Sequence, residues 1–149
     1  MDTVRAATTS LEQGSVLAIP LDEEHWALSQ VLVPGVTFWL GAAPVVFKGL
    51  PRLGQVQNLP LSILSWTNDA EVYRGNWLSL GAWPLQGSPA PRIEYKVGFA
   101  GKMWVESFTG ERLRELDPHT DADLTYRKSR SPLLVQDMVR EACGFGAPR

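Results

Sequence analysis

The chain is short of the residues that most often carry chemistry or crosslinks. It has one cysteine, Cys143, and two histidines among 149 residues. A single thiol excludes an internal disulfide and fits a reducing compartment. Zinc sites usually draw two or three ligands from His and Cys, a supply this chain barely has. Charge of one sign is missing too: 14 basic side chains face 16 acidic ones, for a net charge of −2. A nucleic-acid binder takes most of its affinity from a concentrated basic face, so this balance argues against one. No apolar run approaches the ~18 residues of a membrane span. The opening MDTVRAATTSLEQG lacks the apolar core of a signal peptide. The expectation is a cytoplasmic protein with no membrane attachment.

Catalytic signatures are missing as well. There is no G-x-S-x-G, no phosphate loop and no dinucleotide fingerprint. The segment DPHTDAD places Asp117, His119, Asp121 and Asp123 at alternate positions, but it has neither the turn glycine nor the later glutamate of a calcium loop. It reads as a solvated loop. Cys143 falls on the last turn of a predicted helix, away from the positive end of the dipole that would activate a thiol. No cofactor and no metal are expected, and a binding protein fits these absences better than an enzyme.

What the chain does have is strand material. Three runs at Val16–Leu21, Trp26–Val33 and Val36–Leu40 are rich in Val, Ile, Trp, Phe and Thr. Asp22-Glu23-Glu24 separates the first two and Pro34-Gly35 the second and third. Links this short join antiparallel neighbours, because a parallel partner needs a long crossover. The chain therefore opens as a three-stranded meander after a lead-in over residues 1–13. From Gly41 to Pro60 prolines and glycines interrupt, and only Val45-Val46-Phe47 could add an edge strand. Leu61–Trp66 and Glu71–Arg74 read as extended pieces around a turn at Thr67-Asn68-Asp69, followed by an extended Trp77–Leu85 and a loop at Gln86–Pro91. Ile93, Tyr95, Val97 and Phe99 alternate with polar residues or glycine, the clearest period-two signal, and predict a hairpin over Ile93–Phe108. Glu111–Leu116 is open between a strand and a helical turn.

The last element is a helix: Ser131 suits the N-cap, Pro132 the first position, and Gly144 the left-handed residue past the end. Its apolar face would be Leu134, Val135, Met138, Val139 and Ala142, and residues from Gly146 on trail off. The whole reads as one domain over residues 1–149, of α+β class. The expected form is a strongly curved antiparallel β-sheet or small open barrel with a C-terminal helix. Trp77 is expected in its core, sharing an interior with Ile93, Tyr95, Val97 and Phe99. Of the six tryptophans, one or two are expected to be partly exposed for contact.

The order of motifs resembles the immunity protein 26 family of bacterial polymorphic toxin systems. GSVLAIPL, the return EEHWALSQVLV and the strand VTFWL are similar to the family's opening, and RGNWLSLGAWPL to its Gly-x-Trp…Gly…Pro-Leu segment, carried here by Gly75, Trp77, Gly81, Pro84 and Leu85. The terminal helix LLVQDMVREAC is similar too, so the resemblance runs from about Gly14 to Gly144. Ser15 stands where the family usually has Asp, and Gln30 where it commonly has Arg. The resemblance implies an α+β protein that binds and neutralises a toxin encoded beside it. Because a small phosphotriesterase has been placed in the same family, hydrolysis is the alternative it raises; a small-molecule-binding barrel is another. For a binding protein, Asp22, Glu23, Glu24 and His25 at the first hairpin tip, with Trp26 beside them, are the candidate partner-contact residues. Nothing in the sequence sets the oligomeric state.

Overall fold

The apolar runs near the start become the middle of a sheet. In the computed structural model, which describes residues 11–85, 94–99, 101–107 and 110–146, β1 (Ser15–Pro20) pairs antiparallel with β2 (His25–Val33). β2 pairs in turn with β3 (Phe38–Ala42). The predicted meander is therefore present. Its third strand starts two residues late, because the link absorbs Val36, which is 94% exposed. Past Ala42 the ladder stops at Pro44 and resumes only as the two-residue β4 (Phe47–Lys48), paired with the start of β2. A 3-10 turn follows at Leu53–Val56.

β5 (Ile63–Thr67) lies on the far side of β3. The next piece corrects the expectation of a second extended strand. Ala70–Tyr73 is a helical turn, α1, and Asn68 Oδ1 accepts from Ala70 N at 2.9 Å at its entry. β6 (Leu78–Ala82) then pairs with β1, giving the order β5-β3-β2-β1-β6. Both β5 and β6 run antiparallel to the strands beside them, which makes them parallel to each other on opposite edges. A tight turn cannot make that connection; it needs a crossover, and α1 supplies part of it.

Every residue from Ser15 to Ile19 is buried because this central strand is covered on both faces. Leu17, Ile19 and Leu21 face the main core with Ala27, Val31, Phe38, Leu40, Val72, Trp77, Val135 and Val139. Val16, Ala18, Leu28 and Val56 form a second cluster on the other face. The main core is closed by α2 (Pro132–Ala142), whose Ser131 Oγ accepts from Leu134 N at 3.2 Å. The helical period is as predicted, but the face is turned. Pro132, Val135 and Val139 are buried, while Leu134 (47% exposed) and Ala142 face outward. Trp77 Nε1 donates to Gln136 Oε1 at 2.9 Å, an anchor that helps set the rotation of the helix.

The described residues divide into two compact units, 11–85 with 129–146 in one and the rest of the chain up to Lys128 in the other. The second unit is a three-stranded antiparallel sheet of β7 (Glu94–Phe99), β8 (Lys102–Ser107) and β9 (Arg112–Glu115). Its hairpin is the predicted one, and β9 resolves the ambiguity at Glu111–Leu116 in favour of a strand. Trp77 is buried as expected, at 1% exposure. Its core companions belong to the first unit, whereas Tyr95 and Val97 lie on β7 of the second. The α+β class stands. The larger sheet is an open path edged by β5 and β6, neither closed nor strongly curled. Residues 1–10 of the expected lead-in, the loop at Gln86–Pro91, Ile93 and Phe108 at the ends of the predicted hairpin, the side chain of Phe99 and the tail at 147–149 lie outside the described residues.

Candidate functional site

The β1–β2 tip is a turn built by one carboxylate. Asp22 Oδ1 accepts from Glu24 N and from His25 N, each at 2.8 Å, and His25 Nδ1 lies 2.8 Å from the same oxygen. This is the local Asx chemistry that makes aspartate a turn former. Those bonds, the Glu24 amide foremost and the His25 side chain next, hold the Asp22 carboxyl below its ordinary pKa. Asp22 and His25 therefore shape the tip. Glu23 and Glu24 take no part in shaping it through their side chains. Glu24 is 3.9 Å from Lys48 Nζ, both well exposed, and Glu23 makes no ion pair among the described residues.

Pairing with β4 places Phe47 opposite Trp26 and Lys48 opposite His25. The backbone adds a further tie, Gly49 N to Glu24 O at 2.7 Å. Trp26 and Phe47 are both half-buried and rest on the second cluster. Behind the tip, the Phe145 ring lies 5.5 Å from the His25 ring, and Arg140 bonds Leu21 O. Of the five predicted contact residues, Glu23 and Glu24 are exposed, Trp26 is half-buried opposite Phe47, and Asp22 and His25 have internal partners. Phe47, Lys48, Arg140 and Phe145 were missed. Phe145 had a local signal, since an apolar residue commonly follows the left-handed glycine that ends a helix. Nothing local tied Phe47 to Trp26.

The second acidic segment is internal scaffolding of the three-stranded unit. Asp121 is 5% exposed; Oδ1 is 2.6 Å from Arg114 Nη2, and Oδ2 accepts from Asp117 N at 2.9 Å. Asp117 Oδ1 accepts from His119 N at 2.8 Å. Among the described residues no group of three or more His, Cys, Asp or Glu side chains could hold a metal. The Asp117 amide, then Arg114, hold the Asp121 carboxyl below its ordinary value of 3.8. Between that lowered pKa and 3.8 the unfolded chain binds more protons than the folded one. The stabilisation from Asp121 should thus be complete above pH 3.8 and fade as pH falls through the folded pKa. Urea midpoints measured from pH 2 to 6 (on the order of the usual carboxyl range) should fall less steeply on the acid side for Asp121→Asn than for the parent. Equal slopes would show that this ion pair adds nothing.

Gln30, 1% exposed, donates through Nε2 to Trp83 O at 2.7 Å and Gly14 O at 3.2 Å, and Ser15 Oγ accepts from Glu12 N at 2.9 Å. Both act as structural ties at the junction of β1, β2 and β6. The lone thiol of Cys143 has its pKa pushed up by burial, opposite to what a nucleophile requires. Trp39, Trp66 and Trp77 are buried; Trp26, Trp83 and Trp104 are half-buried. No helix among the described residues is long and apolar enough to cross a membrane. No protein-family model, curated protein or solved structure matches the chain.

Proposed function

We propose that this chain is a non-catalytic binding protein: an immunity protein, acting in the cytoplasm, that neutralises a toxin encoded beside it. The observation that carries the reading is at the β1–β2 tip. Glu23 and Glu24 are exposed on a turn whose shape Asp22 already secures, next to the half-buried Trp26–Phe47 pair. An apolar aromatic anchor with a charged border is the composition of a protein-binding surface. Three acids against Lys48 leave the tip at a net −2 (three negative, one positive). A toxin acting on nucleic acid carries a basic cleft, and this tip would steer the two together and occupy that cleft.

The test is association with the product of the adjacent toxin gene. Replacing Glu23 and Glu24 by Ser, with Asp22 kept, should slow association severalfold, on the order of what loss of steering charge does. Its salt dependence should flatten, with the melting temperature unchanged. An on-rate and salt slope equal to the parent's would move the interface elsewhere. If the adjacent product does not bind the parent protein at all, the immunity reading fails.

A further inference from the structure

The tip lies about 120 residues from the C-terminal end of α2 in sequence (Leu21 to Arg140 are 119 apart), yet the two are bonded directly. The helix ends in a Schellman turn. Gly144 takes φ +82°, Gly144 N donates to Glu141 O at 3.1 Å, and Phe145 N donates to Arg140 O at 2.9 Å. That pair of reversed bonds turns the chain back on the helix. It delivers the Phe145 ring to the His25 ring, 5.5 Å between centres. The Arg140 guanidinium sits 5.8 Å from the same Phe145 ring and bonds both Leu21 O, the last carbonyl before the tip, and Phe145 O. His25 in turn holds Asp22, and Asp22 holds the amides of Glu24 and His25. A continuous line of contacts therefore runs from the helix end to the two amides that define the turn.

We propose that this C-terminal turn is a strut for the β1–β2 tip, with Phe145 and Arg140 as positioning residues that keep it in one conformation. A hairpin tip held only by its own strands opens locally at little cost, and a surface that must be ordered on binding loses affinity to that ordering. The role of the strut in recognition rests on the proposed function; its role in holding the tip does not. Phe145 also touches the main core, so a purely structural part predicts that its loss loosens tip and core alike.

Amide hydrogen exchange separates the two. In Phe145→Ala, the amides of Glu24 and His25 should exchange about tenfold faster or more, while those of Leu28 and Val31 in the centre of β2 stay at the parent rate. Phe145→Tyr should restore the tip. If Phe145→Ala fails to fold, Phe145→Leu, which keeps apolar volume without the ring, should give the same selective change. Unchanged tip amides, or tip and core amides accelerating together, would overturn the strut. In the binding assay Phe145→Ala should slow association as the Glu23 and Glu24 replacement does. Absence of any binding by the parent would sink the immunity reading alone and leave the exchange result to decide the strut.

Discussion

Trp77→Ala should lower the unfolding free energy by about 3–5 kcal/mol, the range for truncating a large buried aromatic. The indole is 1% exposed and packs among Leu17, Ile19, Val72, Val135 and Val139, so its removal leaves a void bounded by the sheet and both helices. It also strands Gln136, whose Oε1 accepts from the indole nitrogen at 2.9 Å. Against a total stability of roughly 5–15 kcal/mol the loss is large enough to shift a urea midpoint unmistakably. Trp77→Phe keeps much of the ring volume but still strands Gln136, and should fall between the two. Trp83→Ala, at a half-buried site on the second cluster, should cost clearly less. An unchanged midpoint for Trp77→Ala would mean that the contacts closing α2 onto the sheet are not the ones described.

The second large effect belongs to the three-stranded unit. Gly98 sits in β7 opposite Met103, with φ at +125°. A Cβ there would lie 2.3 Å from Lys102 O and 3.2 Å from Met103 Cα. Both are backbone atoms of the paired strand and have nowhere to go without breaking the ladder. Gly98→Ala therefore adds overpacking to an unfavourable dihedral, together about 2–5 kcal/mol. Gly101, at the turn of the same hairpin, is the control. Its φ is +87°, but a Cβ meets nothing within 4 Å, so Gly101→Ala should cost only the roughly 1–2 kcal/mol of the left-handed conformation. Exchange rates of the β7–β8 amides would read both. Equal losses for the two variants would remove the clash from the account.

The parts of the fold that were legible in the sequence are those with a local cause. Val16 to Val33 is apolar and is cut by Asp22, a residue that closes a turn with its own side chain; the alternation from Tyr95 to Phe99 ends at Gly101, whose positive φ turns the chain through its backbone. Ser131, Pro132 and Gly144 mark the ends of α2 because caps and left-handed residues act within one turn of the helix they bound. The acidic tip was visible as a candidate surface for the same reason, being one short run of charge. Tertiary structure alone decided the rest. Glu71 to Arg74 reads as extended by composition. It became helix where β6 had to cross to the opposite edge beside β1, and there Glu71, 2% exposed, found Arg74 and Asn76. The period of α2 was legible but its rotation was not, since Leu134 and Val135 are equally apolar and only the surface opposite, with Trp77 on Gln136, chose between them. Phe47 beside Trp26, and Phe145 against His25, join residues 21 and 120 positions apart by the same logic (47 − 26 and 145 − 25). Closing such loops has an entropy that depends on length and not on residue type, so nothing in the local pattern records which pairs will meet.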